Sequence, residues 1–81
     1  MIDTIRGILE QYGKLSGPAA NLKPDANLYD AGLTSFASVQ LMLALEEAFD
    51  IEFPDEALNR RTFSSMTTIA DTIATLQTAN A

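Results

Sequence analysis

A chain of 81 residues with 47% hydrophobic side chains sets one domain, residues 1–81, as the expectation, with a core small enough to be marginal but sufficient for a helical bundle. It has no cysteine and no histidine, which excludes disulfides, thiol redox chemistry and Cys-based zinc sites, and removes the commonest neutral-pH acid–base and metal-ligating side chain. Eleven acidic residues against five basic ones give a net charge of −6, which argues against nucleic-acid binding, since phosphate contacts need Lys and Arg, and points to basic protein surfaces as partners.

The N-terminus, Met1-Ile2-Asp3-Thr4-Ile5-Arg6, lacks the basic region and apolar stretch of a secretory signal. Ile2, Ile5, Ile8, Leu9 and Tyr12 recur at helical spacing and predict a first helix over Ile2–Tyr12 with one apolar face. Gly13 is a natural stop, and Gly17-Pro18 and Lys23-Pro24 prevent the helix from resuming. Residues 14–33 then form a long connection, with room for a short helical turn. Leu15, Leu22, Leu28, Tyr29 and Leu33 are anchors that pin it to the core.

The second helix is predicted from Ser35 or Phe36 to Phe49, and it carries two apolar stripes. Leu41, Met42, Leu45 and Phe49 are assigned to the core. Phe36, Val39 and Leu43 follow the same spacing on a rotated face, extended by Glu46 and Glu47. Surplus apolar surface rimmed by acids suggests a partner site, with Leu58 joining it from the next element. The longest apolar run, Leu41–Leu45, is far too short to span a membrane, so no membrane partner and a cytoplasmic location are expected. Pro54-Asp55-Glu56 opens a short third helix, with Asp55 as N-cap, ending near Arg60-Arg61, whose charges complement its C-terminal dipole, a partner contact being the weaker reading of the two arginines. A last helix starts at Ser64 or Ser65 and buries Met66, Ile69, Ile73 and Leu76, and Thr78–Ala81 is read as a frayed tail.

Ser35 is the residue on which function turns. It lies where a turn-forming stretch, Gly32-Leu33-Thr34, opens into the second helix. Backbone N–H groups and the helix dipole favour a phosphate at such a terminus. An N-cap serine with no further role is the bland alternative. Ser38 is the internal rival, one turn into the helix. No histidine is present to act as base, so Ser35 is not a catalytic nucleophile, and the chain is not expected to be an enzyme.

Ser35 with its flanks, the helix from Leu41 to Glu47, Phe49-Asp50 and Pro54-Asp55-Glu56 resemble the acyl carrier proteins over residues 2–78. The resemblance implies an all-α fold, a four-helix bundle of three longer helices and one short one with a long first loop. It also implies 4′-phosphopantetheine, taken from coenzyme A, on Ser35, with cargo held as a thioester on its thiol. A phosphopantetheinyl transferase would install the arm. Thr34 stands where most of the family have Asp, and Phe36 where Leu is usual, which bears on which transferase accepts the chain.

A finer resemblance runs through Ala31–Leu43, Ile51-Glu52-Phe53-Pro54-Asp55 and Leu58-Asn59-Arg60-Arg61. It is to the stand-alone bacterial aminoacyl carrier proteins. These are charged by amino acid:[carrier protein] ligases, which are similar to the catalytic core of a seryl-tRNA synthetase. The implied cargo is glycine or alanine, passed on to a downstream acceptor enzyme. Thr34, Phe36, Val39, Gln40, Leu43, Glu46, Glu47 and Leu58 are then the expected partner-binding residues. Glu46, Glu47, Asp50, Glu52, Asp55 and Glu56 hold six of the eleven acids and would dock Arg and Lys of partner enzymes. They lack the spacing of an EF-hand loop, and no metal site is expected. A monomer is the default for such a bundle. Two other readings stay open at this point: a carrier of fatty-acyl, polyketide or peptidyl intermediates, and a non-carrier helical adaptor.

Overall fold

Apolar residues three and four apart give the first segment one face to bury, and it folds as α1, Ile2–Tyr12. The computed structural model describes residues 1–13, 15 and 17–79, with the backbone alone for Ala79. Ile5 and Leu9 are fully buried, and Ile2 and Ile8 pack at their edge. Tyr12 departs from the expected stripe and is 37% exposed: it is the last helical residue, and its amphipathic phenol tolerates water. Gly13 ends the helix with φ −74° and ψ −22°, not with the left-handed turn common at such stops. A Cβ there would lie 2.7 Å from the Leu9 carbonyl oxygen, so close packing is what calls for glycine.

The connection, of which residues 14 and 16 lie outside the described set, is held by α1 through polar contacts. Arg6 Nη1 donates to the carbonyl oxygens of Ala19 at 2.8 Å and Leu22 at 2.6 Å. The Glu10 carboxylate accepts from the Ala19 N–H. Between these clamps the chain makes a 3₁₀ turn, Ala19–Asn21. Ala19, Leu28 and Leu33 are buried, while Leu15, Leu22 and Tyr29 pack half-buried against the core. The Leu28 N–H donates to Ser64 O at 2.7 Å and the Thr67 N–H to Pro24 O at 3.0 Å, tying the connection to the start of the last helix. Gly32, at φ 112°, takes a conformation that L side chains rarely adopt and turns the chain toward the second helix.

That helix is α2, Ser35–Phe49. Ala37, Leu41 and Leu45 are buried, and Met42 and Phe49 pack at the core's edge. Asp50 closes it in the left-handed region, φ 52° and ψ 52°. Ile51 and Phe53 then return to the core, where the Phe53 and Phe63 rings meet at 5.5 Å between centroids.

The short helix is a single 3₁₀ turn, Asp55–Ala57, and two details of the expectation change with it. The N-cap is Pro54, with Asp55 the first residue inside, and the turn stops before Arg60 and Arg61. Asn59 supplies the reason. Its Nδ2 donates to Glu56 O at 2.8 Å and its Oδ1 accepts from the Thr62 N–H at 2.9 Å, so its side chain takes up backbone groups that a longer helix would have paired.

The last helix, α3, spans Met66–Ala79 and is capped by Ser65, whose Oγ accepts from the Thr68 N–H at 3.1 Å. Thr68 Oγ1 accepts in return from the Ser65 N–H at 3.1 Å, a reciprocal pairing in the manner of a capping box. Met66, Ile69 and Ile73 are fully buried, and Leu76 is half-buried. The helix continues through Ala79, beyond the point where the frayed tail was expected; residues 80 and 81 lie outside the described set. The result is an all-α bundle in which α1 packs against both α2 and α3, with a 3₁₀ turn in the place of the short helix.

Candidate functional site

The start of α2 divides two tasks between neighbouring hydroxyl residues. Thr34 lies in extended backbone, φ −99° and ψ 165°, and its Oγ1 accepts from the Ala37 N–H at 3.0 Å. The N-cap is therefore Thr34, and the bland reading of Ser35 as the cap does not hold. Ser35 is the first helical residue and is exposed. Ser38, the rival serine, is half-buried and donates its Oγ proton to Ser35 O at 2.7 Å. Of the two serines, Ser35 is the one whose hydroxyl is presented to solvent beside the helix's unpaired N–H groups.

A groove of about 320 Å³ opens next to it. Ser35, Ser38, Val39 and Met42 of α2 line it, together with Tyr29, Leu58, Asn59, Arg60 and Phe63. An exposed hydroxyl at a helix N-terminus, bordered by a shallow apolar groove, suits a tethered phosphodiester with a largely uncharged arm beyond it.

The second stripe of α2 faces water. Phe36 is 69% exposed, Val39 49% and Leu43 51%, and Leu58 from beyond the 3₁₀ turn is 45% exposed. Gln40 and Glu47 are exposed as well. The structure brings Ser35, Val39 and Leu58 to one groove. Glu46 and Glu47 lie eleven and twelve residues further on, about 16 Å along the helix axis, and form a separate acidic end. Glu46 is half-buried and already engaged: its Oε2 accepts from the Phe53 N–H at 2.8 Å, holding the chain where it re-enters the core.

Tyr29 and Arg60 are groove residues that the sequence pattern assigns mainly to other tasks. Arg60 and Arg61 were assigned to a helix C-terminus, but the 3₁₀ turn ends at Ala57 and leaves them in the following loop. Arg60 places its guanidinium carbon 4.2 Å from the centroid of the Tyr29 ring. Tyr29 was assigned only as a loop anchor. No spacing rule pairs residues so far apart in sequence. Among the described residues no group of three or more acidic residues could hold a metal ion, and no helix is long and apolar enough to cross a membrane.

The family described as "Phosphopantetheine attachment site" matches residues 3–76. The chain is 59% identical over 70 residues to an aminoacyl carrier protein of Agrobacterium fabrum, across 86% of this chain and 84% of that one. It is 35% identical over 77 residues to a D-alanyl carrier protein of Lactobacillus acidophilus, across 94% and 98% of the two chains. In three dimensions it is similar to a carrier protein from Agrobacterium tumefaciens crystallised with an engineered Bradyrhizobium japonicum glycine:[carrier protein] ligase and AMP. The TM-score is 0.89 at 57% identity, over 91% of this chain and 99% of that one. A family match from end to end of the bundle, with a relative identical at 59% of aligned positions, establishes that the chain belongs to the phosphopantetheine-dependent carrier proteins, among the aminoacyl carriers.

Proposed function

We propose that Ser35 Oγ carries 4′-phosphopantetheine as a phosphodiester and that the chain transports a small amino acid, glycine or alanine, between enzymes. The observation that carries this reading is the exposed Ser35 hydroxyl, released from capping by Thr34. It stands in a chain 57% identical to a carrier solved with a glycine:[carrier protein] ligase, which supports a ligase of that kind as the loading partner.

The chain's part in attachment is that of a substrate. Ser35 Oγ attacks the phosphorus of coenzyme A that bears the pantetheine arm. A phosphodiester forms, the bond to the nucleotide breaks, and 3′,5′-ADP leaves. With no histidine in the sequence, the serine proton goes to a base of the phosphopantetheinyl transferase, which also supplies the metal. Once bound, the arm supplies a mobile thiol on which the cargo's carbonyl is activated as a thioester. The bundle supplies recognition. Phe36, Val39, Leu43 and Leu58 present the apolar docking surface, with Thr34 and Gln40 at its margin. Glu47 and the exposed acids Asp50, Glu52, Asp55 and Glu56 steer basic partner surfaces toward it. Handover to an acceptor enzyme takes place in that enzyme's site, and the chain works as a cytoplasmic monomer.

Intact mass after incubation with coenzyme A and a broad-specificity transferase tests the attachment point. The wild type and Ser38→Ala gain one phosphopantetheine, and Ser35→Ala gains none. Modification of Ser35→Ala would overturn the assignment. The loaded chain, given ATP, a glycine:[carrier protein] ligase and either amino acid, then gains glycine or alanine in a form that hydroxylamine removes.

A further inference from the structure

We propose that Arg60, seated on the ring of Tyr29, is the counter-ion that holds the phosphodiester end of the arm in the groove beside Ser35. The inference rests on Ser35 being the attachment point.

What sets Arg60 apart from the other described basic side chains, none of which has an ion pair, is the ring it lies on. Acidic residues outnumber basic ones by eleven to five, yet among the described residues Arg60 makes no ion pair with any of them. It lies against an aromatic face instead, with its guanidinium carbon 4.2 Å from the Tyr29 centroid. That distance is well inside the range for cation–π attraction. A guanidinium carries five N–H donors, and contact with a ring on one side leaves donors available to an acceptor in the groove. Tyr29 is itself half-buried against the core, so the seat is fixed to the bundle.

The placement matters because the same groove contains Ser35. Its other lining is mainly apolar, Val39, Met42, Leu58 and Phe63, with Ser38 and Asn59 as the polar members. Its volume of about 320 Å³ falls at the lower end of the range, about 300–1,000 Å³, of pockets that enclose small ligands. A phosphopantetheine tethered at Ser35 is anionic at its tether and uncharged along the rest of its length. The groove offers one cation and four apolar side chains to that combination. A charge-assisted bond from a planar guanidinium to a phosphate oxygen is among the stronger contacts available at a protein surface. Arg60 is then a positioning residue: it rests the unloaded arm along α2 until a partner draws it out.

The test uses chain loaded from coenzyme A by a transferase, with isotope-labelled protein and unlabelled arm. Intact mass and peptide mapping first establish Ser35 as modified. Failure there removes the attachment reading and this one together. With Ser35 loaded, the wild type shows NOEs from the arm's geminal methyl groups to Val39, Met42 and Leu58. In Arg60→Gln these NOEs are lost and the ³¹P resonance of the phosphodiester shifts, while the amide spectrum of the unloaded variant overlays that of the wild type outside the groove. Tyr29→Leu, which removes the seat and keeps the cation, weakens the same NOEs. An absence of arm NOEs in the loaded wild type would overturn the proposal. So would Arg60→Gln with unchanged NOEs and ³¹P shift, and if that variant also lost loading by the ligase, Arg60 would be a partner contact instead.

Discussion

Thr34 and Ser35 are both hydroxyl residues at one helix start, yet they do different work. Thr34 satisfies the Ala37 N–H, and Ser35 stays exposed. Thr34→Ala is expected to cost about 1 kcal/mol in urea unfolding, the usual penalty for losing a cap. Thr34→Asp keeps a capping oxygen and adds a favourable charge at the helix N-terminus, so its stability should equal or exceed that of the wild type. The pattern around Ser35 was legible in the sequence because a turn, a hydroxyl and a helical period coincide there. The division of labour was not, since either residue is a good cap and a boundary one residue off exchanges their roles. Arg60 was illegible for a different reason: its neighbour Tyr29 is brought to it only by the path of the long connection.

At the scale of elements, α2 is a helix with one apolar face turned to the core and another left in water. Leu41 and Leu45 are fully buried, while Val39 and Leu43 are half in water on the same helix. Both stripes could be read from spacing, because a single core contact cannot use apolar residues on two sides. The acidic end divides in a way that spacing could not reveal. Glu46 accepts the Phe53 N–H, so Glu46→Ala leaves a donor unpaired near the buried Phe53 and should cost about 1–3 kcal/mol in chemical denaturation. Glu47 is exposed, and Glu47→Ala should change stability by less than about 0.5 kcal/mol while slowing association with the ligase. From sequence the 3₁₀ turn at Asp55–Ala57 reads as a longer helix because Pro54 and two acids make a good helix start, whereas the stop depends on what the Asn59 side chain bonds.

For the whole molecule, eight large side chains with no exposure, from Ile5 to Ile73, form one core across all three helices. Each contributes about 1.5–3 kcal/mol relative to exposure, against a comparable entropic cost of ordering the chain. That core was legible from periodicity. The course of the connection was not, because Arg6 and Glu10 of α1 hold it through its backbone carbonyl and N–H groups, which leave no mark in a sequence. A net charge of −6 makes the molecule's long-range field attractive on balance to basic surfaces. Loading by a ligase should accordingly slow as sodium chloride rises from low to physiological concentration, chiefly in kcat/KM, with a smaller slope in Glu47→Ala. One last feature reaches further than its size. Gly32, at φ 112°, stands three residues ahead of Ser35, where the connection gives way to α2. Any side chain there would be relieved most cheaply by rotating the few residues that follow. On the proposed attachment at Ser35, the point in space at which cargo is offered is set by a residue outside the groove, and Gly32→Ala should re-aim delivery while the groove's own side chains stay unchanged.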